Sequence, residues 1–149
     1  MGHGDRDRGK VRFLIVDDYA VVRLGLRTHL AGHRDWLVCG EAENGVEAIS
    51  KARALQPDVV ILDINMPVLN GIQAAVKIRE VSPTSKILLF SVHDKTVMSQ
   101  VLSSSGADGC VSKAATNEEL LAAIANLLPQ AFRSQTRKSR EIRATHIER

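Results

Sequence analysis

Three acidic side chains stand directly after runs of apolar residues in this chain. Asp17 and Asp18 follow the run Val11 to Val16, and Asp63 follows the run Val59 to Leu62. If these carboxylates share a pocket about 5 Å across, each pair repels by roughly 3 kcal/mol at an effective dielectric constant of about 20. A hard divalent cation relieves that repulsion, and Mg²⁺ suits a site made only of oxygen ligands. A carboxylate can also act as a nucleophile toward phosphorus and form an aspartyl phosphate.

A hydroxyl and an ammonium group follow two further apolar runs. Ile87 to Phe90 leads into Ser91, and Gly109 to Val111 leads through Ser112 to Lys113. Phosphoryl transfer mainly requires positioning and neutralisation of the phosphoryl oxygens, so Ser91 and Lys113 could each contact one of them. Taken singly, Ser91 is an ordinary hydroxyl at a strand end and Lys113 an ordinary solvated lysine. Their joint placement with the three acids favours a common site.

The element that carries Asp63 indicates the architecture. Four consecutive aliphatic residues, Val59 to Leu62, are typical of a strand buried on both faces in a parallel sheet covered by helices. Strand-like and helix-like runs alternate along the chain, which predicts an α/β fold: a doubly wound sheet of five parallel strands with five helices and right-handed crossovers. In such sheets ligands bind outside the carboxyl ends of the strands. The predicted strands are 11–16, 36–40, 59–62, 87–90 and 109–111, and the predicted helices begin near Tyr19, Asn44, Gly71, Lys95 and Thr116.

Several residues indicate where the predicted helices begin, where they end and which faces they bury. Thr116 opens a pattern typical of a capping box. Asp18 could cap the first helix instead of binding a ligand. The serine run 103–105 favours local backbone bonding, so we expect the fourth helix to fray there. We expect the buried face of the second helix to carry Val46, Ile49 and Ala52, and that of the third to carry Ile72, Ala75 and Val76.

Length, composition and charge exclude several classes of protein. The 149 residues, 44% of them hydrophobic, fit one domain with a sizeable core. No apolar run approaches the ~18 residues that span a membrane, and residues 1–10 lack the apolar centre of a signal peptide. We therefore expect a soluble, cytoplasmic protein with no membrane partner.

The positive charge of the chain lies at its two ends. Of the net charge of +3, residues 129–149 carry +4 and residues 1–10 carry +1, which leaves −2 for residues 11–128. We expect no direct nucleic-acid binding by this chain.

Together these residues resemble the receiver domain of bacterial two-component response regulators. The motifs that carry the resemblance occur in family order and spacing: Asp17-Asp18, Leu62 to Pro67, Asn70-Gly71, Ser91, and Gly106 to Lys113. Each motif alone is weak, but the five together are highly specific. The segment from Lys113 to Leu121 is similar to receivers that precede LuxR-type helix-turn-helix output domains, as in regulators of the NarL type.

The resemblance implies a flavodoxin-like sheet with strand order 2-1-3-4-5. It also implies that Asp63 is the phospho-acceptor and that Ser91 and Lys113 bind the phosphoryl group. Mg²⁺ would be held by Asp17, Asp18, Asp63 and the backbone carbonyl of Asn65. The donor would be a phosphohistidine on a sensor histidine kinase. Such a protein is a switch that catalyses only its own phosphorylation and dephosphorylation.

The same resemblance divides the chain into three parts. Residues 1–10 are an N-terminal extension, residues 11–128 the receiver domain, and residues 129–149 a basic tail or the remnant of a linker, too short for an output domain. The expected partners are the kinase, a downstream protein or a missing helix-turn-helix domain, and a second copy of the chain. Family members dimerise through their first and last helices or through the fourth, and the sequence does not choose between these faces.

Other functions stay open at this point. A phosphatase of the haloacid dehalogenase class also uses a strand-end Asp and Mg²⁺, but it requires a second Asp two residues later, where Asn65 stands. A receiver-like module that never accepts phosphate would not need all three acids. A truncated DNA-binding regulator would need more chain.

The cysteines mark one departure from the family. Cys110 stands three residues before Lys113, where relatives usually have an aromatic residue that moves during switching. We therefore hypothesise that switching acts mainly through Ser91 and the helix that begins near Lys95. The implied strand order puts Cys39 and Cys110 at opposite edges of the sheet, too far apart for a disulfide.

Overall fold

The computed structural model describes residues 9–92 and 95–128. In this part of the chain five strands alternate with five helices, as the sequence predicts. The strands are β1 Val11–Val16, β2 Trp36–Ala42, β3 Val59–Asp63, β4 Lys86–Ser91 and β5 Gly109–Ser112. The helices are α1 Ala20–Ala31, α2 Gly45–Leu55, α3 Gly71–Val81, α4 Lys95–Ser105 and α5 Asn117–Leu127. The predicted extension 1–10, apart from Gly9 and Lys10, and the predicted tail 129–149 lie outside the described residues.

The strands form one parallel sheet with the order β2-β1-β3-β4-β5, which confirms the predicted topology. Val16 at the end of β1 pairs with Leu62, and Asp63 pairs with Phe90 of β4. Ser91 pairs in turn with Ser112 of β5. The carboxyl ends of all five strands therefore lie at one edge of the sheet.

Two hydrophobic clusters cover the two faces of this sheet. On one face α2, α3 and α4 pack against it, and on the other α1 and α5 do so. All five residues of β3 are buried, which confirms the predicted strand covered on both sides. The strand that carries Asp63 is therefore held rigidly in the middle of the domain.

The buried faces of α2 and α3 differ from the prediction. Val46 and Val76 are 58% and 43% exposed, so their expected burial is wrong. Ala52 is buried as predicted, and Ile49 packs against the same cluster. In place of Val46, helix α2 buries Gly45 and Ala48, whose small side chains let the helix approach the sheet closely.

The predicted fraying of α4 at its serines is also wrong, because the helix continues to Ser105. The hydroxyl groups of Ser103 and Ser104 donate to the carbonyl oxygens of Ser99 and Gln100, four residues back, at 3.2 and 3.1 Å. Serines that bond to these carbonyls are compatible with a helix, although they weaken it slightly. Gly106 follows with a φ of +72°, a conformation typical of a helix end.

Strand β2 is longer than predicted and contains an irregularity. Its register against β1 shifts between Phe13 and Leu14, which pair with Val38 and Gly40 and leave Cys39 as the extra residue. The strand continues to Ala42 and so reaches the edge of the sheet where Asp17 lies.

Cys39 and Cys110 lie on the two edge strands and are both free thiols, as expected. None of the helices in the described ranges is long and apolar enough to cross a membrane.

Candidate functional site

The three predicted acids meet at the carboxyl edge of the sheet. Asp17 and Asp18 follow β1, and Asp63 is the last residue of the neighbouring strand β3. Each contributes one carboxylate oxygen to a group whose members lie within 4.8 Å of one another. Asp17 is fully buried and Asp63 is only 2% exposed. Adjacent parallel strands thus concentrate negative charge at one point.

Lys113 reaches this cluster from the end of β5. Its ammonium nitrogen lies 2.8 Å from Oδ2 of Asp17 and 3.4 Å from Oδ1 of Asp63. The same nitrogen lies 5.8 Å from the centroid of the Phe90 ring, within range of a cation–π interaction. The backbone N–H of Lys113 donates to the carbonyl oxygen of Ser91 at 2.8 Å, which fixes the start of the loop after β5.

The electrostatics of the site follow from burial and crowding. Burial first, and then the charge of Asp17, raise the pKa of Asp63 to about 6 against the opposing effects of Lys113 and the Asn65 N–H. Burial by itself lowers the pKa of Lys113, but the hydrogen bond to Asp17 and the charges of Asp63 and Asp17 outweigh it, so the net shift is upward. Lys113 is therefore a permanent cation facing carboxylates that it neutralises only in part.

The loop between β1 and α1 holds the acidic pair. The backbone N–H of Asp17 donates to the carbonyl of Ala42 at 3.0 Å, and its Oδ1 accepts the N–H of Tyr19 at 2.9 Å. Tyr19, not Asp18, is the N-cap residue of α1, and no side chain caps it. The alternative in which Asp18 caps this helix is therefore wrong.

Asp18 has an unsatisfied atom that suits a cation. Its Oδ1 is buried and has no hydrogen-bond partner among the described residues. Oδ2 of Asp17 is also buried, but the ammonium group of Lys113 lies 2.8 Å away and compensates its charge. A buried carboxylate oxygen without a partner is costly. An all-oxygen cluster with such an atom fits a hard divalent cation such as Mg²⁺.

The loop between β3 and α3 supports Asp63. Oδ1 of Asp63 accepts the backbone N–H of Asn65 at 3.2 Å. The N–H of Gly71 donates to the carbonyl of Ile64 at 2.8 Å, and the Asn70 side chain caps α3 by accepting the N–H of Gln73. The amino end of α3 is thus joined directly to the end of β3.

Ser91 lies at the same edge of the sheet. It is the last residue of β4, and its side chain is fully buried. All the residues predicted for the site, namely Asp17, Asp18, Asp63, Asn65, Ser91 and Lys113, therefore stand at or just beyond the carboxyl ends of four strands.

Sequence reasoning missed Arg23. Its Nη1 donates to the carbonyl oxygen of Asp17 at 2.6 Å, although the side chain starts from the second turn of α1. A cation near the amino end of a helix interacts unfavourably with the helix dipole. That unfavourable position is the one signal in the sequence that could have indicated a specific partner for this arginine.

Comparison with known proteins agrees with this fold. The family model for the response regulator receiver domain matches residues 13–125. The nitrate/nitrite response regulator protein NarL of Escherichia coli (strain K12) is 38% identical over 113 residues, which are 74% of this chain and 51% of that protein. A protein-glutamate methylesterase/protein-glutamine glutaminase of Methanosarcina acetivorans is 48% identical over 81 residues, 54% of this chain and 23% of its own. The crystal structure of a LuxR-family two-component response regulator from Aurantimonas superposes with a TM-score of 0.74 at 33% identity, covering 79% of this chain and 85% of that one.

The sheet order defines a flavodoxin-like fold with an acidic cluster at its carboxyl edge. The chain belongs to the response regulator receiver domain family, and so to two-component signalling. The predicted likeness to regulators of the NarL and LuxR type is confirmed. The chain spans about half the length of the curated NarL protein that it matches, and the similarity to the methylesterase covers a smaller part of that enzyme.

Proposed function

We propose that this chain accepts a phosphoryl group on Asp63 from a phosphohistidine of a sensor histidine kinase, and that the modification changes which partner binds. The observation that carries this proposal is the position of Asp63: a nearly buried carboxylate at the end of a central strand, grouped with two further acids and 3.4 Å from a lysine. The proposal assigns the receiver to residues 11–128 and places the protein in the cytoplasm.

In the proposed reaction, a carboxylate oxygen of Asp63 attacks the phosphorus atom as the bond to the donor imidazole breaks. The N–H of Asn65 and the ammonium group of Lys113 orient the attacking carboxylate. Lys113 then neutralises one oxygen of the transferred group, and the hydroxyl of Ser91 donates to another. The carboxylates of Asp17, Asp18 and Asp63 and the backbone carbonyl of Asn65 would hold Mg²⁺, which neutralises charge on the phosphoryl oxygens when it is bound.

Phosphorylation alters the balance of charge at the site. The acyl phosphate carries about two negative charges where the Asp63 carboxylate carried one, beside residues that already have an excess of negative charge. Lys113 contacts both Asp17 and Asp63, so its interactions must be redistributed when Asp63 is modified. Because the backbone of Ser91 accepts the Lys113 N–H, a change at either residue is transmitted to the ends of β4 and β5.

Acetyl phosphate tests the proposal without knowledge of the kinase. Wild-type protein incubated with acetyl phosphate and Mg²⁺ should gain one phosphoryl group by intact mass spectrometry, and Asp63→Ala should gain none. Asp35→Ala, which replaces an exposed acid after α1, is the matched control and should behave as wild type. A wild-type protein that stays unmodified, or equal modification of Asp63→Ala, would overturn the proposal.

The partners of the modified protein are also part of the proposal. The output would come from a downstream protein or from a helix-turn-helix domain, and a second copy of the chain could be recruited in the same way. Sedimentation of the free and the phosphorylated protein separates recruitment of a second copy from recruitment of another protein.

A further inference from the structure

Arg23 connects the acidic pair to the neighbouring strand β2. Its Nη1 binds the carbonyl oxygen of Asp17 at 2.6 Å, and its Nε lies 3.3 Å from Oε1 of Glu41. The Arg23 side chain is 17% exposed, so both contacts are largely shielded from water. A guanidinium group can donate to two acceptors at once in a fixed geometry.

Glu41 is itself held in place from several directions. Its Oε2 accepts a hydrogen bond from Nη1 of Arg27 at 2.7 Å. Its backbone carbonyl accepts one from the ammonium group of Lys51, which also pairs with Glu47 at 2.8 Å within α2. Arg23 is therefore anchored to Glu41, whose carboxylate is bound by Arg27 of α1 and whose backbone carbonyl is bound by Lys51 of α2.

The acceptor that Arg23 binds belongs to the peptide unit between Asp17 and Asp18. Because a peptide unit is planar, fixing its carbonyl oxygen also fixes the direction in which the Cα atom of Asp18 leaves it. The N–H of Asp17 is bound to Ala42, so this residue is held at both of its backbone polar groups. These two hydrogen bonds therefore hold the backbone from which both acidic side chains project.

We infer that Arg23 is a positioning residue for the acidic cluster: it orients the Asp17–Asp18 peptide so that both carboxylates are preorganised for a divalent cation. The inference rests on the proposed function, in which these carboxylates hold Mg²⁺. Arg23 makes its contact through a backbone oxygen and is not a ligand. Loss of groups that orient metal ligands typically weakens metal binding by about 10- to 100-fold.

Arg27 provides a matched control. It binds the same Glu41 carboxylate, has the same charge and lies one helical turn further along α1, but its contact is with Glu41 and not with Asp17. Removal of either arginine changes the charge of this region equally. Only removal of Arg23 takes a hydrogen bond away from the acidic pair.

The test is a titration with Mg²⁺ alone, followed by amide chemical shifts and by the rise in melting temperature. Arg23→Ala should raise the Kd for Mg²⁺ about tenfold, while Arg27→Ala should stay within about twofold of wild type. Arg23→Lys keeps the charge, but a single ammonium group cannot reproduce the two-sided contact, so its Kd should lie between those of wild type and Arg23→Ala. The rate at which acetyl phosphate modifies these variants should return to that of wild type when the Mg²⁺ concentration is raised to saturation.

Each outcome decides between positioning and simpler explanations. Unchanged Mg²⁺ affinity in Arg23→Ala would overturn the inference, as would equal weakening in Arg27→Ala, which would assign the effect to the shared contact with Glu41. Loss of a positive charge alone would strengthen Mg²⁺ binding in both variants. If Arg23→Ala does not fold, Arg23→Lys decides: wild-type affinity in that variant overturns the inference and weaker binding supports it. A wild-type protein that does not bind Mg²⁺ would overturn the proposed function as well.

Discussion

A Cβ atom on Gly71 would lie 2.3 Å from the carbonyl oxygen of Asp63. It would also lie 2.6 Å from the Cα atom of Ile64, so both clashes are with backbone atoms that cannot rotate away. The first residue of α3 is therefore packed directly against the end of the strand that carries the proposed phospho-acceptor. In the Asn70-Gly71 pair, glycine permits this close approach and asparagine caps α3.

Replacement of Gly71 should disturb both stability and function. Gly71→Ala should lower the free energy of unfolding by about 2 kcal/mol, because overpacking must displace backbone, and should slow phosphorylation by acetyl phosphate. Gly25→Ala is the control, since a Cβ atom there meets nothing within 4 Å. Because Gly25 lies in the interior of α1, Gly25→Ala should raise the free energy of unfolding by about 1 kcal/mol. Urea denaturation that finds the same effect for both variants would contradict the close-approach interpretation.

The raised pKa of Asp63 predicts a dependence of stability on pH. Between its ordinary value of 3.8 and about 6, the folded state retains a proton on Asp63 that the unfolded state has released. The contribution of this group to stability therefore falls as pH rises through that window, by up to about 3 kcal/mol, and stays low above it. The pKa of Lys113 is raised from 10.5, so its stabilising contribution changes only at much higher pH.

Asp63→Asn isolates this effect. In the presence of EDTA, the variant should be more stable than wild type near pH 7, and the difference should shrink as pH approaches about 4. Urea denaturation across this range measures the difference directly. A stability difference that does not change with pH would show that Asp63 titrates normally.

Val68 is held in a strained conformation within the loop that follows β3. Its φ is +72°, and the N–H of Leu69 donates to the carbonyl of Pro67 at 2.8 Å, which together describe a γ-turn centred on a β-branched residue. The side chain is 89% exposed, so little packing compensates the strain. Val68→Gly should stabilise the protein by about 1 kcal/mol, as strain of roughly 1 to 3 kcal/mol is relieved at the cost of glycine's greater freedom in the unfolded chain.

Val92→Gly is the matched control for the strained loop. Val92 is also well exposed, at 70%, but it is not among the described residues with a positive φ. The same substitution there should cost up to about 1 kcal/mol. A loss of stability in both variants would argue against strain at Val68.

Switching through α4 remains a prediction. Cys110 packs against the hydrophobic cluster to which Met98 of α4 belongs, so the residue in the position usually occupied by an aromatic ring does contact the core beneath this helix. Beryllofluoride with Mg²⁺, a mimic of the phosphorylated state, should change amide hydrogen exchange in residues 95–105 more than in α1. Asp63→Asn should show no such change. Identical amide hydrogen exchange in α4 with and without beryllofluoride would contradict the hypothesis that switching acts through this helix.

Much of this site could be predicted because its chemistry stands where apolar runs end. Parallel strands bring their carboxyl ends together, so Asp17, Asp63 and Lys113 converge although they are far apart in the chain. The start of the last helix was predictable from local spacing, since Thr116 accepts the N–H of Glu119 as its pattern indicates. The caps by Asn44 and Asn70 were not predicted, although the predicted helix starts fall at or beside these residues.

The features that were not predicted depend on backbone atoms or on tertiary packing. Arg23 binds a carbonyl oxygen, and since every residue has one, the sequence does not identify this partner. The positive φ of Val68 opposes the preference of valine and is imposed by the surrounding loop. Helix α2 buries Ala48 and exposes Val46, because close packing against the sheet outweighs burial of the larger side chain.

The position of the phosphoryl group is the most direct test of the central claim. Protein treated with acetyl phosphate and Mg²⁺ can be reduced with borohydride, which converts an acyl phosphate to the corresponding alcohol, and then digested for peptide mass spectrometry. We predict that residue 63 is recovered as homoserine and that Asp17 and Asp18 are unchanged. Reduction at Asp17 or Asp18, or no reduced residue in a protein that carries Mg²⁺, would contradict the assignment of Asp63 as the phospho-acceptor.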